Sequence, residues 1–60
     1  MILGKILAYL RASGMPPTRF GREAVRDPRL VHDLKRGRSP GPRTVARIEA
    51  YLRQQAEAGR

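Results

Sequence analysis

Proline and glycine fall at Gly14, Pro16-Pro17, Pro28, Gly37, Pro40-Gly41-Pro42 and Gly59, and these breaks limit what the chain can become. Proline fixes φ, lacks an N–H and disfavours helical geometry in the residue before it. Glycine readily takes the left-handed conformation that ends a helix. The stretches between the breaks carry apolar residues at helical rather than strand spacing. The chain is therefore expected to build itself from short helices and nothing else.

The first stretch, residues 1–12, places Ile2, Leu3, Ile6, Leu7 and Leu10 on one face, with Lys5, Tyr9 and Arg11 outside. Gly14 is its expected left-handed cap. A helix this short and weakly charged fits a core better than a membrane surface. The second stretch starts at Pro17 or Thr18 and runs to about Val25. Phe20 and Ala24, four apart, face inward, while Arg19, Arg22 and Glu23 face out. Gly21 beside them is costly in mid-helix by up to about 1 kcal/mol, so it asks for a close neighbour, most naturally another helix.

Residues 27–37 read as a third helix with clear end signals. Asp27 is a strong N-cap, Pro28 suits the first helical position, and Gly37 follows a last turn holding Lys35 and Arg36. Over residues 28–36, Val31 and Leu34 share the inner side. Arg29, His32, Asp33 and Arg36 fall in an outer sector about 100° wide. Every member of that sector can donate or accept a hydrogen bond, which suits the reading of base edges in a major groove and equally suits a solvated face. Ser39 as N-cap and Pro40 at the first position would open a fourth helix. Its buried stripe is Val45, Ile48 and Leu52, flanked by Ala46, Ala50 and Tyr51. Arg43, Arg47, Glu49, Arg53 and Gln54 form its wet side, and Gly59 marks its end.

Length and charge narrow the reading. The chain has 60 residues and no cysteine, so it holds one domain at most and no disulfide. With a single histidine, a zinc staple has too few ligands. Thirteen Lys and Arg against five Asp and Glu give a formal charge of +8, which suits a polyanionic partner. Eleven of the thirteen are arginine, as GC-rich codon usage also favours, but eight cluster between Arg19 and Arg43. No apolar run reaches the roughly 18 residues of a membrane span, and no signal-peptide pattern opens the chain. A soluble, cytoplasmic protein is expected.

Four helices, with a three- or four-residue turn between the second and third, have the spacing of a helix-turn-helix. Over residues 17–52 the sequence resembles the compact helical DNA-binding domains of the phage lambda repressor/Cro type. Phe20, Gly21 and Ala24 match the family's bulky, small and apolar positions in the second helix. Val31, Leu34 and Gly37 match its reading helix, and Val45, Ile48 and Leu52 its closing helix. Two positions depart. The family's turn glycine is replaced near Val25 and Arg26, and its glutamine by Pro17, Thr18 and Arg19.

The resemblance implies an all-α fold, a compact bundle of four short helices containing a helix-turn-helix. Residues 1–56 would form the DNA-binding domain and residues 57–60 a flexible tail. It implies base contacts from Arg29, His32, Asp33 and Arg36. Asp33 would accept from a cytosine amino group or orient Arg29 one turn back. Phosphate contacts would come from Arg19, Arg22, Arg38 and Arg43, with Ser39, Thr44 and the start of the fourth helix adding an anion site. The implied role is sequence-specific double-stranded DNA binding by a bacterial or phage transcriptional regulator. A homodimer is expected, touching through the first helix or the end of the fourth. No enzymatic activity, cofactor, metal or small-molecule substrate is expected. The alternative is a protein-interaction module using the same helical surface to bind a polymerase, toxin or phage protein. An RNA binder is disfavoured, since Tyr9, Phe20 and Tyr51 are the only stacking residues and Phe20 is needed in the core.

Overall fold

The computed structural model describes residues 2–58. Four helices occur in order: α1 Ile2–Ser13, α2 Pro17–Val25, α3 Leu30–Lys35 and α4 Pro42–Ala58. The all-α bundle is thus as expected, and the glycine breaks after α1 and α3 act where they were expected. Gly14 closes α1 at φ 74°, and its N–H donates to the Leu10 carbonyl at 2.9 Å. Gly37, at φ 102°, follows α3.

α2 packs on α3 and α4, and α1 packs on the same two helices. The core between them is Ile6, Phe20, Ala24, Leu30, Val31, Leu34 and Ile48. Ile6, Phe20, Val31 and Ile48, one from each helix, are under 2 % exposed. Ile2, Leu3, Leu7 and Leu10 of α1 lie half-buried against that core, as does Leu52 of α4.

Tyr9 was expected on the outside of α1. It is half-buried instead, its ring 5.8 Å from that of Phe20. Tyr51 meets Phe20 edge-on at 5.3 Å and Tyr9 edge-on at 6.3 Å. Such pairs contribute about 0.5–1.5 kcal/mol each beyond area burial. A chain this small needs large rings to close its core, and helical periodicity alone did not reveal that Tyr9 joins it.

The two ends of the closing segment also differ from expectation. α4 begins at Pro42, two residues after the expected start, and the first helical bond runs from the Val45 N–H to the Gly41 carbonyl at 3.0 Å. The second proline decides this. It disfavours helical geometry at Gly41, and Ser39 and Pro40 lie outside the helix. At the far end α4 continues through Glu57 and Ala58, which had been assigned to a flexible tail. The expected stop at Gly59 lies outside the described residues.

Gly21 has a steric reason. A Cβ at this position would fall well inside van der Waals contact with the Asp27 carbonyl oxygen, and 3.1 Å from the Leu30 Cβ. The neighbour that excludes a side chain is thus the backbone of the α2–α3 turn together with the first residue of α3. A crossing helix had been expected in that place. The same turn sets Arg26 at φ 59°, the single non-glycine residue with positive φ among the described residues. An arginine in that conformation costs about 1–2 kcal/mol. Arg26 stands near the position where the resembled family has its glycine.

Candidate nucleic-acid interface

Residues 26–29 turn the chain from α2 into α3. The Arg26 N–H donates to the Arg22 carbonyl and the Asp27 N–H to the Gly21 carbonyl, both at 3.0 Å. Asp27 Oδ1 then accepts from the Arg29 N–H at 3.0 Å, and its carbonyl accepts from the Leu30 N–H at 3.1 Å. Asp27 was expected as the N-cap of α3; its side chain instead holds the turn before the helix, and the N-cap position falls to Arg29, which has no side-chain cap bond. Pro28 and Arg29 form a tight entry turn, so regular helix begins only at Leu30.

α3 is short and strongly two-sided. Leu30, Val31 and Leu34 are buried, while Arg29, His32, Lys35 and Arg36 are exposed. Leu30 completes the apolar back that Val31 and Leu34 announced. Among the described residues, the side chains of Arg29, His32 and Arg36 engage no carboxylate and no other side chain.

Asp33 is placed differently from its three companions. It is half-buried, and its Oδ2 accepts from Arg38 Nη1 at 3.1 Å. The Arg38 N–H also donates to the Asp33 carbonyl at 3.1 Å. Arg38 Nη1 lies 3.5 Å from Asp27 Oδ2 as well. Asp33 thus orients Arg38 and not Arg29, because the chain after Gly37 folds back along α3. One guanidinium ties the α3–α4 loop to both ends of the α3 segment.

The expected phosphate residues separate into two groups. Arg22 and Arg43 are exposed and form no ion pair among the described residues. Arg19 and Arg38 are exposed but already held by carboxylates. Arg19 Nε donates to Glu23 Oε2 at 2.6 Å, and Glu23 Oε1 accepts from the Tyr51 hydroxyl at 2.8 Å. The Arg19 bond, followed by the Tyr51 bond, holds the Glu23 carboxyl below its ordinary range. Burial, then the bond to Glu23, pushes the Tyr51 phenol well above its ordinary value.

Ser39 is exposed in the α3–α4 loop and does not cap α4. Thr44 is half-buried in the first turn of α4. It lines a cavity of about 220 Å³ whose rim carries Asp27, Arg38 and Arg47 over a floor of Val25, Leu30 and Leu34. Arg47 was assigned only to the wet side of the fourth helix. Its spacing of four from Arg43 was the signal that could have drawn it in. Lys35 likewise joins the exposed side of α3 without having been singled out.

Among the described residues, no three His, Asp or Glu side chains gather as a metal ion would require. No described helix is long and apolar enough to cross a membrane. The fold and the charged face define a small basic four-helix protein. No family model, curated protein or solved structure matches it.

Proposed function

We propose that this chain binds double-stranded DNA by laying the exposed side of α3 in the major groove. The observation that carries the reading is the division of α3. Leu30, Val31 and Leu34 anchor it to the bundle, and the exposed side chains of Arg29, His32 and Arg36 have no side-chain partner among the described residues. Arg29 can fork onto guanine O6 and N7, a contact worth about 1–3 kcal/mol of discrimination. Arg22 and Arg43 are free to meet phosphates. Arg19 and Arg38 exchange a carboxylate for a phosphate on binding, and Ser39 and Thr44 add hydroxyl donors. Asp33 acts as the residue that positions Arg38. The net charge of +8 supplies the long-range attraction.

The role that fits is transcriptional regulation of a bacterial or phage kind, in the cytoplasm. It involves no chemistry and no cofactor. One α3 reads about half a site, so a homodimer on half-sites about 34 Å apart completes the proposal. Selection of bound duplexes from a random pool, followed by fluorescence anisotropy, tests it. An enriched palindrome is expected, with binding that weakens steeply between 50 and 200 mM salt. Arg29→Ala relaxes sequence preference, whereas Arg43→Ala weakens all duplexes alike. Affinity for a protein ligand without salt-sensitive duplex binding would replace this reading with an interaction module.

A further inference from the structure

We infer that Arg26, at the left-handed corner between α2 and α3, is a DNA-phosphate contact whose side chain is retained there against the conformational preference of its own backbone.

At φ 59° and ψ 32°, Arg26 occupies a region that glycine enters freely and an arginine does not. The corner asks nothing of the side chain. It is exposed, and the hydrogen bond that Arg26 gives the turn comes from its backbone N–H. Among the described residues its guanidinium meets no carboxylate, aromatic ring or carbonyl. Glycine would make the same turn with less strain, so neither folding nor internal pairing accounts for the residue. Strained conformations of this kind cluster at positions with a binding role.

The surroundings point to the ligand. Arg22 precedes the corner by one helical turn, and Arg29 follows it at the entry to α3. Both are exposed and unpaired like Arg26. Arg22 and Arg29 are bonded into this turn through their backbones. The Arg22 carbonyl accepts from Arg26, and the Arg29 N–H donates to Asp27. The nearest carboxylates, Glu23 and Asp27, are engaged by Arg19 and Arg38. Three arginines, none in an ion pair among the described residues, are therefore tied by their backbones to the turn between α2 and α3. A partner with negative charges repeated along its length fits such a turn. This inference rests on the DNA-binding reading of α3 and adds a contact to it: if α3 reads bases, the corner lies at the groove edge where a phosphate strand passes.

Arg26→Gly provides a clean test, because it relieves the backbone while removing the charge. In the intact chain the variant should melt at or above the wild-type temperature and yet bind duplex DNA more weakly. Its slope of log affinity against log salt should be shallower by about 0.9, the loss of one phosphate contact. Between 50 and 200 mM salt the wild type would then lose about 3.5-fold more affinity than the variant. Arg26→Lys keeps the charge and should keep the wild-type slope. Arg53→Gln, which removes one exposed charge from the far half of α4, should keep it too.

An Arg26→Gly protein with unchanged affinity and slope overturns the inference while leaving the DNA-binding reading intact. So does a melting temperature below wild type, or an Arg53→Gln slope reduced as much as that of Arg26→Gly, which would mark an effect of net charge alone. Wild-type protein that binds no duplex at all overturns both.

Discussion

Replacing Gly21 by alanine should destabilise this protein, although alanine is the better helix former by about 1 kcal/mol. The new methyl would collide with the Asp27 carbonyl oxygen, with the Asp27 carbonyl carbon at 3.2 Å and the Leu30 Cβ at 3.1 Å also too near. The obstacle is backbone, so a side-chain rotation cannot relieve it. Residues 26–29 must shift instead, which strains the Leu30 N–H bond to the Asp27 carbonyl and the Asp27 N–H bond to the Gly21 carbonyl. Overpacking of this kind costs about 1–3 kcal/mol, and each weakened hydrogen bond about 0.5–1.5 kcal/mol. After the propensity gain is subtracted, a net loss of about 1–5 kcal/mol remains, centred on about 3 kcal/mol. At roughly 4–8 °C per kcal/mol for a domain of this size, the midpoint should fall by about 10–20 °C. Thermal melts followed by circular dichroism at 222 nm measure it. Gly4→Ala is the matched control, since α1 leaves nothing within 4 Å of a Cβ there. It should gain about 0.5–1 kcal/mol. A Gly21→Ala protein that melts with or above the wild type would refute the steric account of the turn.

Two further perturbations separate other contributions. Asp27→Ala removes the bond that holds the entry turn to α3 and should cost about 1 kcal/mol, whereas Asp27→Asn keeps an acceptor for the Arg29 N–H and should lose only the exposed attraction to Arg38, at most about 1 kcal/mol. Urea melts giving equal losses for both would place the effect in the ion pair. Tyr51 titrates near pH 10 when unfolded, but its folded pKa is raised, so the wild type should lose stability as pH rises above about 10. Tyr51→Phe should lack that component, and equal slopes of stability against pH in the two proteins between pH 9.5 and 11 would count against the buried phenol.

The helices were legible because their limits are set by local chemistry. Gly14 and Gly37 act through the conformations of their own backbones, and Asp27 through a carboxylate two residues from the N–H it accepts; both follow from residue type. The inward residues of α2 and α3 follow from spacing four or three apart on a helix; of the stripe expected on α4, Ile48 is buried and Leu52 packs half-buried on the core, while Val45 is only half-buried and stands outside it. What escaped the sequence depends on chain segments meeting across the fold. Tyr9 became a core residue because Phe20 and Tyr51 arrive beside it from other helices. Asp33 was paired with Arg38 because the chain reverses after Gly37. The reason for Gly21 was anticipated as a close approach, but its source could be known only once the turn had a shape. In the same way, Arg29, His32 and Arg36 stand outward as expected, while the partners of Arg19 and Arg38 could not be read from a run of charges.

The four most deeply enclosed side chains, Ile6, Phe20, Val31 and Ile48, come one from each helix. No pair of neighbouring helices therefore owns a centre of its own. A protein cut within residues 38–41 would yield two fragments that are each unstructured in isolation and ordered only on meeting, the first lacking Ile48 and the second having nothing to enclose it. Mixing such fragments should restore the circular dichroism of the intact chain with a dependence on concentration that the uncut protein does not show. The same arrangement ties evolutionary change at any one of the four positions to accommodation on the other three helices.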